Sequence, residues 1–217
     1  MRIILLGAPG SGKGTQAEFI CNTYKIPHIS VGEILRTLLR ESSVLKEEIG
    51  KFINTGRLVP DSWMISWVNC RIRKYDCLRG FLLDGFPRTI FQAYGIRKEG
   101  IAVDFVLEFF LPDACIVERI IGRRVHLSSG RIYHVKFNPP KINNIDDITG
   151  EPLIIRSDDT EECIKNRLHE YHDKSILLSD FYQKESCCNR NMKFFRIDGS
   201  KSILHIQKEL INILNTR

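Results

Sequence analysis

The chain's pattern predicts an α/β fold, a parallel sheet with helices on both faces, and three observations carry that prediction. Short apolar runs of strand length recur along the sequence, stretches of helical periodicity separate them, and the first run passes through glycines into a helix. Strands that alternate with helices need crossover connections, which set neighbouring strands parallel and leave the helices on the faces of the sheet.

Ile3 to Leu6 is a continuous apolar run ending at Gly7, the pattern of a strand buried on both sides, and a helix begins near Lys13. His28 to Ser30 is a shorter strand candidate. Ser30-Val31-Gly32-Glu33 fits a capping box, followed by Ile34, Leu35, Leu38 and Leu39 at helical spacing. Asp61 after Pro60 and Asp113 after Pro112 are placed to cap two more helices, the second with Ile116, Val117, Ile120 and Ile121 on its apolar side. Phe81 to Leu83, Phe105 to Leu111 and Phe194 to Ile197 are the remaining strands. Asp158-Asp159-Thr160 precedes a helix whose first turn holds Glu161 and Glu162, where the helix dipole favours acid. Ile203 to Leu214 closes the chain as an amphipathic helix. Between Gly122 and Asp159 the alternation breaks. Ser128-Ser129-Gly130, Asn138-Pro139-Pro140 and Thr149-Gly150 are turn signals between short β-prone pieces, so a small β-rich excursion is predicted there.

Composition removes several function classes. The 217 residues are 43% hydrophobic and 27% charged, ordinary globular usage that excludes disordered, collagen-like and coiled-coil chains. The apolar runs fall far short of the roughly 20 residues of a membrane helix, and the first ends too early for a signal peptide. A cytoplasmic protein without a membrane partner is expected. The 7 cysteines, odd in number and without a C-x-x-C pair, read as reduced thiols rather than a disulfide scaffold or zinc knuckle. The net charge of +6 suits nucleic acid or small anions equally, but the basic residues are scattered and no basic run or helix-turn-helix is present, so no nucleic-acid partner is expected.

Gly7-Ala8-Pro9-Gly10-Ser11-Gly12-Lys13-Gly14-Thr15 supplies G-x-x-x-x-G-K between a strand and a helix. In that context backbone N–H groups turn inward as an anion nest at a helix N-terminus, and Lys13 adds a charge for phosphate. Gly14 stands where the general pattern has Ser or Thr, so the usual hydroxyl for Mg²⁺ is missing. Asp84, at the end of the Phe81 strand, is either a strand-end acid capping a turn or the metal-side acid of a nucleoside triphosphate site. Arg119 and Arg123 stand four apart on the helix predicted after Asp113. They share a face and repel unless an anion lies between them or Glu118 pairs with one. The dispersed Arg36, Arg57, Arg88, Arg156 and Arg167 are either solvated or converge on phosphate.

Three separate stretches decide between these readings. Gly7 to Thr15, Leu82-Leu83-Asp84-Gly85-Phe86-Pro87-Arg88-Thr89, and Gly130-Arg131-Ile132-Tyr133-His134 with Phe137-Asn138-Pro139-Pro140 resemble the adenylate kinases of the bacterial long-lid type. The likeness runs from Met1 to Asp198-Gly199-Ser200-Lys201. The resemblance implies a monomer that transfers a phosphoryl group reversibly between ATP, bound with Mg²⁺, and AMP to give two ADP. It implies a P-loop NTPase-type core over residues 1–29, 60–121 and 160–217, a helical monophosphate-binding flap over 30–59 and a lid over 122–159.

Residue by residue, the resemblance places the ATP phosphates on Gly10, Ser11, Gly12, Lys13, Gly14, Thr15 and Arg123. The ATP adenosine falls to Arg119, to the backbone and side chains of Ile132 and Tyr133, and to the carbonyl near Lys201. Arg36, Arg88, Arg156 and Arg167 converge on AMP and the transferring phosphoryl, so that Lys13, Arg88, Arg123, Arg156 and Arg167 carry catalysis. Arg57, Leu58, Val59, Gly85, Phe86, Pro87 and Gln92 surround AMP, with the Gln92 amide able to read an adenine edge, and Asp84 holds Mg²⁺ through water. Val31 also falls at AMP and departs from the family's usual Thr, whose hydroxyl lies near AMP. Where some relatives hold zinc with four cysteines, this chain has His126, Ser129, Asp146 and Thr149, so a hydrogen-bonded lid with no structural zinc is expected. The rival readings are a non-catalytic nucleotide-binding module and a sibling kinase using another monophosphate or donor.

Overall fold

In a computed structural model the structure describes residues 1–32, 34, 35, 49–52, 55 and 57–216. Glu33, Arg36, Leu38 and Leu39 lie outside the described residues. Among those described, β1 (Arg2–Gly7), β2 (His28–Ser30), β3 (Phe81–Asp84), β4 (Phe105–Phe110) and β8 (Lys193–Asp198) form one parallel sheet in the order β2-β3-β1-β4-β8. The register pairs Asp84 with both Leu5 and Ser30, so β2 and β3 end level at the carboxyl edge while β1 runs two residues further to Gly7.

The apolar runs make strands because both faces of the sheet are covered. Ile3, Leu5 and Leu107 face α1 (Lys13–Tyr24) and α7 (Ile203–Leu214), packing with Ala17, Ile20, Ile206 and Leu210. Ile4, Leu83 and Val106 alternate to the opposite side. There they meet Met64 and Val68 of α2 (Asp61–Ile72), Ala93 and Ile96 of α3 (Ile90–Lys98), and Leu178 of α6 (Leu177–Cys188). A third cluster joins Ile116 and Ile120 of α4 (Asp113–Ile121) to Ile164 of α5 (Glu161–Glu170). No helix among the described residues is long and apolar enough to cross a membrane.

A separate antiparallel sheet, ordered β6-β5-β7, comprises β5 (Arg123–His126), β6 (Ile132–His134) and β7 (Leu153–Ile154). Its polar interior is hydrogen-bonded. His126 Nδ1 lies 2.6 Å from Ser129 Oγ, Thr149 Oγ1 donates to Asp146 Oδ2 at 2.9 Å, and Arg131 forks onto both Asp146 oxygens at 2.8 and 2.6 Å.

Several local expectations are corrected. Asp61 and Asp113 are the first residues of α2 and α4, with Pro60 and Pro112 in the cap positions, and neither helix has a side-chain cap. Proline fixes the entry dihedral and cannot donate, so the acids remain in the first turn and turn to other partners. Arg119 and Arg123 do not share a helix face, because α4 ends at Ile121 and Arg123 opens β5. At the junction Gly122 leaves room for the His134 ring, since a Cβ there would lie 2.3 Å from His134 Nε2. Glu118 pairs with Lys136 at 2.7 Å instead of with an arginine.

Candidate active site

The carboxyl edge of the parallel sheet opens into a cleft of about 1070 Å³, and every described candidate residue lines it. Ligands of open α/β sheets bind at this edge because the loops there are free to vary while the strands stay fixed. Arg36 is outside the described residues.

On one side lies the phosphate loop. Gly7 is at φ 135°, and a Cβ would fall 2.4 Å from the Phe109 carbonyl, so the turn out of β1 tolerates no side chain. Gly12, at φ 95°, precedes α1, whose first-turn N–H groups have no carbonyl one turn back within the helix and open onto the cleft. Lys13 Nζ donates to the carbonyls of Gly7 and Ala8, each at 2.7 Å, which curls the side chain over the loop. Burial lowers its pKa to about 8; Asp84 opposes this, while Arg88 and Arg123 reinforce it. A buried ammonium held near cations is short of negative charge, which a phosphate would supply.

Asp84 sits at the end of β3 with His28 Nε2 3.4 Å from its Oδ2. Burial alone would raise its pKa, yet His28, Lys13 and Arg88 hold it below the ordinary carboxylate range. A single ionised carboxylate beside a phosphate loop fits Mg²⁺, which prefers one or two carboxylates plus substrate phosphates and retains waters. His28 gave no signal in the sequence, since its meeting with Asp84 depends on β2 lying next to β3.

The cations are held by acids that sequence reasoning assigned only to a helix start. Arg123 forks onto Asp159, and Arg167 binds Asp158 with a second approach to Asp159 at 3.7 Å. Burial would lower the Arg167 pKa, but Asp158 prevails and raises it. Such pairs hold guanidinium groups in fixed directions at a site where like charges converge. Arg156 lines the same wall.

Arg119 donates to the Gly199 carbonyl at 2.8 Å, and its guanidinium lies 5.5 Å from the centre of the Phe137 ring. Arg119, Phe137, Ile132 and the 199–202 loop thus border one end of the cleft, Phe137 being an addition to the candidates. Lys201 is there too, with Nζ on Glu209 at 3.1 Å. Strand alternation turns the Tyr133 side chain away from that of Ile132, and its hydroxyl donates to Asp146 at 3.1 Å and accepts from the Asp147 N–H at 3.0 Å.

At the opposite end, Val31 and Val59 are buried while Arg57 and Leu58 reach the opening. Gly85, Phe86, Pro87 and Arg88 form the loop after β3, and Arg88 Nε folds back onto the Gly85 carbonyl at 2.9 Å. Gln92 is 2% exposed, with Nε2 donating to Asp61 Oδ1 and Oε1 accepting from the Arg88 N–H, both at 2.7 Å. One amide hydrogen and one lone pair remain to read a base. The Thr89 hydroxyl also bonds Asp61, at 3.0 Å, while accepting from the Gln92 N–H as the cap of α3.

A phosphate loop, an ionised acid and acid-held arginines around one cleft are the parts of a phosphoryl-transfer site. The family model described as adenylate kinase matches residues 5–187, most of the chain, and the protein therefore belongs to the adenylate kinase family.

Proposed function

We propose that the protein catalyses reversible phosphoryl transfer between MgATP and AMP, giving two ADP. The observation that carries this reading is the shared cleft, with the phosphate loop on one wall, Arg88, Arg156 and Arg167 on another, and the Gln92 amide beyond them. ATP is assigned to the loop and to the Arg119 end, AMP to the Gln92 end, and Arg36 is assigned to AMP by resemblance alone. The assignment includes a cytoplasmic monomer working on free nucleotides, with residues 30–59 and 122–159 as parts that close over them.

Phosphoryl transfer through a loose transition state spreads charge over equatorial oxygens, so positioned cations supply the stabilisation and no protein nucleophile is needed. Lys13 exchanges its loop carbonyls for phosphate oxygens, while Arg123 and Arg167, held by Asp159 and Asp158, meet the charge with little reorganisation. Arg88 and Arg156 complete the set. Asp84 would hold the Mg²⁺ that accompanies ATP, and the ion would supply further charge neutralisation. The lid and flap exclude water, which would otherwise accept the phosphoryl group.

Initial rates with AMP, UMP, CMP and GMP, each with ATP or GTP as donor, test the reading. AMP with ATP is expected to be fastest. Faster transfer to another monophosphate would move the assignment to a sibling activity, and no transfer to any of them would leave a non-catalytic binding module.

A further inference from the structure

The acceptor side of the cleft carries a hydrogen-bonded chain that ends at a side chain with no assigned role, Ser175. From Asp61 it runs through the Gln92 amide to the Arg88 N–H, and the Arg88 carbonyl accepts from the Ser175 hydroxyl at 2.8 Å. Arg88 is thus gripped on both sides of its backbone. It precedes Thr89, the cap of α3, so its carbonyl stands outside the helix ladder and takes its partner from elsewhere in the fold.

Ser175 ends a π-helical turn, Tyr171–Ser175, that continues directly from α5, the helix bearing Arg167. A wider turn of this kind re-aims the residues that follow it. The turn is fixed at two other points: His172 Nε2 lies 2.8 Å from Asp113 Oδ2 at the start of α4, and Lys174 lies 2.7 Å from Glu170. The Ser175 hydroxyl is therefore a direct tie between the helix of Arg167 and the loop of Arg88, two segments 87 residues apart.

We infer that Ser175 is a positioning residue for the acceptor nucleotide. By holding the Arg88 carbonyl it sets the spacing of the Arg88 and Arg167 guanidinium groups, and so tunes affinity for the monophosphate through Arg88. This rests on the functional reading above, and the measurements separate the two. The protein carries Ser175→Ala or Ser175→Thr; Kd for AMP comes from calorimetry and KM for AMP and ATP from initial rates, with melting temperature recorded throughout. Ser175→Ala is expected to weaken AMP by about three- to tenfold, the equivalent of one neutral hydrogen bond. KM for ATP should stay within about twofold, and Ser175→Thr, which keeps the hydroxyl, should restore AMP affinity. Unchanged AMP constants in Ser175→Ala overturn the inference while leaving the activity standing. So do equal losses for both nucleotides with a lower melting temperature, which mark a merely structural role, and failure of Ser175→Thr to restore affinity. A wild-type protein that neither binds nor phosphorylates AMP overturns the functional reading, and the inference with it.

Discussion

Lys13 concentrates the electrostatics of the site in one side chain. Burial lowers its pKa from 10.5 to about 8, so folding holds it charged at a cost that is present below about pH 8 and relieved as pH rises toward 10.5. Binding has the opposite requirement, since only the ammonium neutralises phosphate. The expected pH profile therefore shows kcat/KM for ATP falling above about pH 8, while kcat, governed by the phosphate-bound form with its raised pKa, persists to higher pH. Flat kcat/KM through pH 9.5, about 1.5 units above that value, would separate Lys13 from ATP capture. Lys13→Met should lower turnover by about 100- to 1,000-fold with an unchanged or raised melting temperature, because it removes a buried charge from outside the apolar core. Val31, 3% exposed at the other end, offers the converse test. A hydroxyl in place of one methyl in Val31→Thr should tighten AMP by about 0.5–1.5 kcal/mol, read as a lower KM; an unchanged or higher KM would show that the hydroxyl finds no partner there.

At the scale of elements, the small sheet is held by charge and hydrogen bonds rather than by apolar volume. Asp146, 1% exposed, accepts from Arg131, Thr149, Tyr133 and the Thr149 N–H. Arg131 is the leading cause that holds its carboxyl well below the ordinary range, with burial opposing. A depressed carboxylate stabilises the fold above its unfolded pKa, and that contribution is lost as pH falls below about 4. Asp146→Ala leaves the Arg131 and Tyr133 donors without their acceptor, so amide exchange across residues 123–154 should accelerate while α1 and α7 remain protected. EDTA should leave the melting temperature unchanged, because Ser129 and Thr149 hydroxyls are poor zinc ligands beside His126 and Asp146. Stoichiometric zinc in the purified protein, with a melting temperature that drops on chelation, is the opposing result.

For the whole molecule, stability resides in the parallel sheet and its two helical layers. Leu107, 0% exposed, lies beside Leu5 of β1 and Phe195 of β8 and belongs to the apolar cluster of that face. Leu107→Ala should cost about 2–5 kcal/mol, seen as a lower denaturant midpoint for every probe at once. A shift confined to probes in residues 123–154 would mean that the sheet is not the cooperative core. This division of labour suits a kinase, since a rigid edge can present fixed cations while polar attachments reorganise at low cost.

Much of this organisation was legible in one dimension. Apolar runs such as Ile3 to Leu6 read as strands because burial on both faces demands continuous hydrophobicity, and the phosphate loop reads from its glycines because backbone approach to an anion demands them. Local rules also misled: the four-residue spacing of Arg119 and Arg123 signified a shared face only while the helix continued, and it stops before Gly122. The sequence by itself determined the α/β class, the nucleotide loop and the side chains available for phosphate. Only the tertiary structure decided their partners, bringing Arg123 to Asp159, Arg167 to Asp158, Asp84 to His28, Tyr133 to Asp146 and Arg88 to Ser175. Periodicity reports which face of an element is buried, whereas these pairs depend on crossovers and turns that bring distant segments together.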